Sequence, residues 1–203
     1  MSTNTEPRSS TSNNRRRIAA AAVVALIVFL AVGAAVWFLD SDNSDDSAQA
    51  TATSSTQSSA LPAVTPRIVS VALLRTFASG SGRPVYWAGA RRGTRLEYTR
   101  RTDGATFVRY LTGTAKPGNG NAGYVVVATY AQPDAYKRVS TIASRQHLPV
   151  KRIAGGGIAV TRKGRPQNIY VVYPDQQYQV EVYAPTAAET RHLVYTGAIK
   201  PVG

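Results

Sequence analysis

Few side chains in this sequence are equipped for catalysis. From Arg67 onward the acids are Glu97, Asp103, Asp134, Asp175, Glu181 and Glu189, the histidines are His147 and His192, and the chain has no cysteine. Disulfides, thiolate metal sites and cysteine nucleophiles are therefore excluded. Two histidines with so few carboxylates match no familiar ligand spacing, so neither a metal nor a cofactor is expected. Glu97 and Glu181 are the one pair to weigh as the acid and base of a glycan-cleaving enzyme. Alternation along its strand puts Glu181 on the solvent side, and both residues read as structural. Asp103 and Asp175 fall in turns, and Asp134 and Glu189 fall where helices need caps. Gly80-Ser81-Gly82 lacks the fuller nucleophile-elbow pattern. Gly155-Gly156-Gly157 precedes a strand instead of opening a helix, so it reads as a turn or bulge and not as a phosphate cradle. No catalytic constellation emerges, and the expectation is a protein that is not an enzyme.

Binding chemistry is better represented. The net charge is +13, and from Arg67 onward twenty Lys and Arg stand against six Asp and Glu, a local +14. Such a field attracts polyanions over long range and weakens with salt. Arg162, Lys163 and Arg165 crowd one hairpin tip around Gly164, with Lys151 and Arg152 close by in sequence. These five are the candidate polyanion-binding residues. All eleven tyrosines lie in the same region. Aromatic rings beside cations suit glycans and polyphosphates, although tyrosine also simply favours strands.

The elements that must position these residues follow from pattern. Thr65-Pro66 reads as a helix N-cap with Pro in the first turn, opening a short helix through Val69 to Ala78. Val85 to Ala88 reads as a strand. Thr94 to Thr112 reads as a hairpin about Asp103-Gly104, with a two-residue type I′ turn pairing Arg100 with Phe107, Tyr98 with Arg109 and Leu96 with Leu111. Tyr124 to Tyr130 is apolar enough to be a central strand. Pro133-Asp134 opens a helix to about Gln146, with Ala135, Val139, Ile142 and Ala143 on its buried stripe. Strands are expected at Ile158 to Thr161, Asn168 to Tyr173 and Gln177 to Tyr183. Thr186 to Glu189 forms a capping box for a last helix that ends at Gly197. The segment Val127 to Val139 echoes Val180 to Val194, as two β-α units on one sheet. The expected fold is α+β: a single domain with a largely antiparallel sheet and two or three helices.

Ahead of this domain, Ile18 to Leu39 is an unbroken apolar run of twenty-two residues. As a helix it would extend about 33 Å, enough to cross a bilayer. Arg15, Arg16 and Arg17 precede it, Asp40, Asp42, Asp45 and Asp46 follow it, and Trp37 sits at its far end. That asymmetry predicts a cytoplasmic N-terminus and an extracytoplasmic C-terminal domain. The organisation expected is a disordered tail over 1–17, a transmembrane helix over 18–39, a disordered Ser/Thr-rich linker over 40–66, and a basic domain over 67–203.

Tyr86 to Gly89, Val108 to Leu111 and Tyr178 to Tyr183, behind such an anchor and linker, resemble pieces of exported single-pass membrane proteins of high-GC Gram-positive bacteria. No activity comes with that resemblance. The paired β-α units also resemble the sporulation-related repeat, which implies peptidoglycan-glycan binding. The expectation is a non-catalytic binding or accessory module of the cell envelope. Its partners would be the lipid bilayer and an anionic envelope polymer or membrane protein. Nucleic acid is disfavoured by location. The alternatives are a glycan-binding domain and a wall-active hydrolase.

Overall fold

A computed structural model describes residues 62–203. The tail, the apolar run with its flanking Arg15, Arg16, Arg17 and Trp37, and most of the linker lie outside the described residues. Among the described residues no helix is long and apolar enough to cross a membrane.

The chain builds an α+β domain: strand β1 (Val64–Val69), helix α1 (Val71–Ser79), strands β2 (Tyr86–Trp87), β3 (Thr94–Arg100), β4 (Thr106–Thr112) and β5 (Val125–Ala131), helix α2 (Ala135–Arg145), strands β6 (Val150–Arg152), β7 (Ile158–Thr161), β8 (Asn168–Val172) and β9 (Tyr178–Tyr183), helix α3 (Ala187–Tyr195) and strand β10 (Lys200–Pro201). Eight strands form one antiparallel sheet in the order β1-β3-β4-β5-β9-β8-β7-β6, while β2 and β10 pair separately. Two meanders thus meet at the β5–β9 seam.

Both faces of the sheet are covered. On the first, Tyr98, Val108, Val127, Val171, Val180 and Val182 pack with Leu74 of α1, Leu193 and Val194 of α3, and Tyr86 and Trp87 of β2. On the second, Ala135, Val139 and Ala143 of α2 lie on Ile158, Val160, Tyr170 and Val172. The buried stripe of α2 is the one its periodicity predicts, with Ile142 only partly buried. The sequence echo therefore stops at the strands. A two-fold relating antiparallel neighbours β5 and β9 would leave both following helices on one face, whereas α2 and α3 lie on opposite faces.

Three expectations change. Thr65-Pro66 does not start a helix: both lie in β1, and Ser70 caps α1 by accepting from Leu73 N at 3.1 Å. Proline is tolerated there because β1 is an edge strand whose register shifts between Val64 and Arg67. The fold consequently begins before Arg67, inside the stretch read as linker. The β3–β4 register is also displaced by one residue. Glu97 opposes Arg109, Tyr98 opposes Val108 and Thr99 opposes Phe107. The loop has three residues: Arg101 and Ala105 are joined by a main-chain bond, and Gly104 takes φ 82° while Asp103 stays out of the left-handed region. Type I′ needs positive φ at both central positions, so the alternative with a left-handed glycine wins. Finally, Asp134 does not cap α2 through its side chain; it adopts φ 51°, and its N–H donates to Gln177 Oε1 at 3.0 Å.

Candidate functional site

Glu97 and Glu181 both project from the second face of the sheet. The register sets them three strand spacings and two residues apart, about 16 Å. That exceeds the roughly 10 Å span within which two carboxylates flank one glycosidic bond, so this pair cannot act as acid and base.

Each instead has its own structural surroundings. Glu97 is 1 % exposed; its Oε1 accepts from Arg109 Nη1 at 2.8 Å and its Oε2 from Gly118 N at 2.7 Å. Arg109 also donates to Asn119 O at 2.6 Å and lies over the Tyr124 ring. The corrected hairpin register places this ion pair directly across β3 and β4, and it holds the loop between β4 and β5 against the sheet. Glu181 is not on a solvent face. Alternation along β9 holds, with Tyr178, Val180 and Val182 opposite Gln179 and Glu181, but β9 is central and both of its faces are covered. Glu181 is 4 % exposed. Asn168 Nδ2 donates to its Oε1 and Tyr130 Oη to its Oε2, diagonal neighbours on β8 and β5, while Tyr170 faces it directly on β8. Burial pushes its carboxyl up to about 7, against the opposing pull of these hydrogen bonds and of the Arg165 charge.

Two of the remaining four acids are also engaged. Glu189 pairs with Arg91 at 2.6 Å, and Asp103 with Arg101 at 2.8 Å. The capping box at α3 is half formed: Thr186 Oγ1 accepts from Glu189 N, while the Glu189 carboxylate turns to Arg91. Ser81 is buried with its hydroxyl held between the carbonyls of Ala78 and Arg83, a turn fixture and not an exposed nucleophile. Gly155 and Gly156 take positive φ in the turn between β6 and β7, as a turn reading requires. His147, at φ 50°, follows α2 in a Schellman arrangement in which Leu148 N bonds Ala143 O and His147 N bonds Ser144 O.

The five candidate cations gather around one margin of the sheet but do not share a face. Thr161 N donates to Pro149 O at 3.1 Å, which brings the start of β6 beside the turn bearing Arg162, Lys163 and Arg165. Lys163 is exposed at the tip. Arg162 and Arg165 are partly buried and lie near the Tyr170 phenol, which burial and the Glu181 charge push well above its ordinary value against the smaller pull of these two cations. Lys151 lies on the first face with its Nζ 4.0 Å from the Tyr195 ring centroid. Arg152 lies on the second, along a groove beside α2. Sequence reasoning missed β6 itself, because a three-residue strand exposed along its whole length carries no apolar period. The exposed large apolar side chains among the described residues, Ile68, Leu73 and Val150, sit on three different elements and form no common patch. No protein-family model, curated protein or solved structure matches this chain.

Proposed function

We propose that this is a single-pass membrane protein whose basic α+β domain stands outside the cell and binds an anionic envelope polymer without catalysing a reaction. The observation that carries this reading is the disposition of charge. Of six carboxylates in the domain, two are buried within the sheet and two more are paired with arginines, against twenty Lys and Arg. The outward field is therefore cationic, and Lys151, Arg152 and Lys163 present it along one sheet margin. The apolar run at Ile18 to Leu39 supplies the anchor, and its flanking charges supply the orientation.

Sedimentation of the purified protein with cell-wall sacculi, intact or stripped of anionic polymer, tests this. Binding to intact sacculi should disappear on stripping, fall steeply between about 50 and about 500 mM salt, and weaken in Lys163→Glu. Salt-resistant binding to stripped sacculi would replace this reading with glycan recognition. Failure to bind either preparation would overturn it.

A further inference from the structure

The margin that carries the cations also carries an open strand edge. β6 is the last strand of the sheet and pairs only with β7. Thr161 N donates to Pro149 O at 3.1 Å and Ile153 N donates to Gly157 O at 3.0 Å. Antiparallel pairing alternates, so Pro149, Lys151 and Ile153 turn their main chain toward β7. The N–H and C=O groups of Val150 and Arg152 consequently point away from the sheet, as an incoming strand would need.

A groove runs along that edge. The side chains of Val150 and Arg152 share the second face with α2, and between strand and helix lies a cleft of about 400 Å³. Leu148, Val150 and Ile158 form its apolar floor, and Ser140, Ser144 and His147 line its helical wall. Val150 is 50 % exposed there. Lys151, on the other face of the same strand, would meet alternate side chains of anything paired to β6.

We propose that this groove binds an extended acidic peptide segment of a partner protein, which adds to β6 as a further antiparallel or parallel strand. Main-chain bonds to Val150 and Arg152 hold the segment, alternate apolar side chains fill the groove, and intervening carboxylates face Lys151. Charge chooses the occupant. A second copy of this chain pairing edge to edge would bring Lys151 and Arg152 against the same cations, an unfavourable cross-strand arrangement. The same cations favour an acidic strand. Strand addition at β6 does not rest on polymer binding, which draws on the charge of the same Lys151 and Arg152 but not on the strand edge.

The test uses the full chain in detergent and a fluorescein-labelled heptapeptide, Ser-Val-Glu-Val-Glu-Val-Ser, with a second version N-methylated at alternate residues. Binding of the unmodified peptide should slow amide exchange at Val150 and Arg152 and leave Lys151, already bonded to β7, unchanged. N-methylation on the side that meets β6 should weaken binding about tenfold or more. Arg152→Pro, which deletes an outward N–H and leaves the β7 ladder intact, should weaken binding more than Arg152→Ala. Equal affinity for both peptides would reduce the interaction to charge attraction and overturn the proposal, as would unchanged exchange at Val150 and Arg152 or no binding at all. Loss of sacculus binding with peptide binding intact would remove the polymer reading alone.

Discussion

Glu181 is a carboxyl held between a covered sheet face and two tyrosines, and its burial outweighs the donors that surround it. Its value in the fold is about 7, against about 4.5 in an ordinary setting. Between these limits the folded chain keeps a proton that the unfolded chain releases, so stability falls as pH rises through the window. Replacement by a neutral isostere removes that dependence. Glu181→Gln should be more stable than the parent at pH 8, and the gap should narrow by about 2 to 3 kcal/mol at pH 5. Urea unfolding at the two pH values measures it, and a gap independent of pH would contradict the assignment. Glu97 is buried beside a counter-charge and a main-chain donor. Glu97→Ala leaves the largely buried Arg109 without its carboxylate and should cost about 3 kcal/mol or more. Exchange of the Gly118 amide, which Glu97 holds, should accelerate in the same variant. Adding Arg109→Met should recover part of the loss.

At the scale of elements, what the sequence discloses depends on whether burial imposes a period. The stripe of α2 and the strands Ile158–Thr161 and Tyr178–Tyr183 are legible because one side of each must be apolar. The hairpin register is not legible, because it turns on whether Asp103 joins Gly104 at positive φ, a difference of one loop residue that exchanges the faces of every side chain. That slip hid the Glu97–Arg109 pair. The side of the sheet on which Glu181 lies was legible, but its burial was not, since alternation does not say whether a polar face is covered by a helix. The triple glycine permits a direct test of element packing. A Cβ at Gly157 would come within 2.7 Å of the Tyr173 ring and 3.0 Å of Val172 O, and Tyr173 is itself stacked on Tyr86. Gly157→Ala should therefore destabilise the domain by about 2 to 3 kcal/mol. Gly164→Ala, which meets nothing within 4 Å but sits at φ 82°, should lose about 1 kcal/mol. Thermal unfolding of the two variants side by side separates collision from backbone strain, and equal losses would argue against the Tyr173 contact.

For the molecule as a whole, the sheet has two edges with different roles. The β6 edge is short and cationic, whereas the other edge is β1, which covers β3 and carries Pro66 and a register shift. β1 does so with residues that composition assigns to a spacer: Val64 opposes Arg100, Arg100 Nε donates to Pro62 O at 2.9 Å, and the Pro66 ring lies against Gly118 of the loop that Glu97 holds. Pro62 to Pro66 thus connect the first edge to the second face through one continuous set of contacts. A chain begun at Arg67 would lose the Val64–Arg100 pairing at the end of β3 and remove one wall of that loop. It should unfold at lower urea than a chain begun at Pro62, by about 2 kcal/mol, with little change in the slope of the transition. Because Glu97 and β1 brace the same loop, Glu97→Ala should cost less in the chain that starts at Arg67 than in the one that starts at Pro62. Strictly additive losses would mean that the edge and the loop are stabilised independently, and that the fold begins energetically at Arg67.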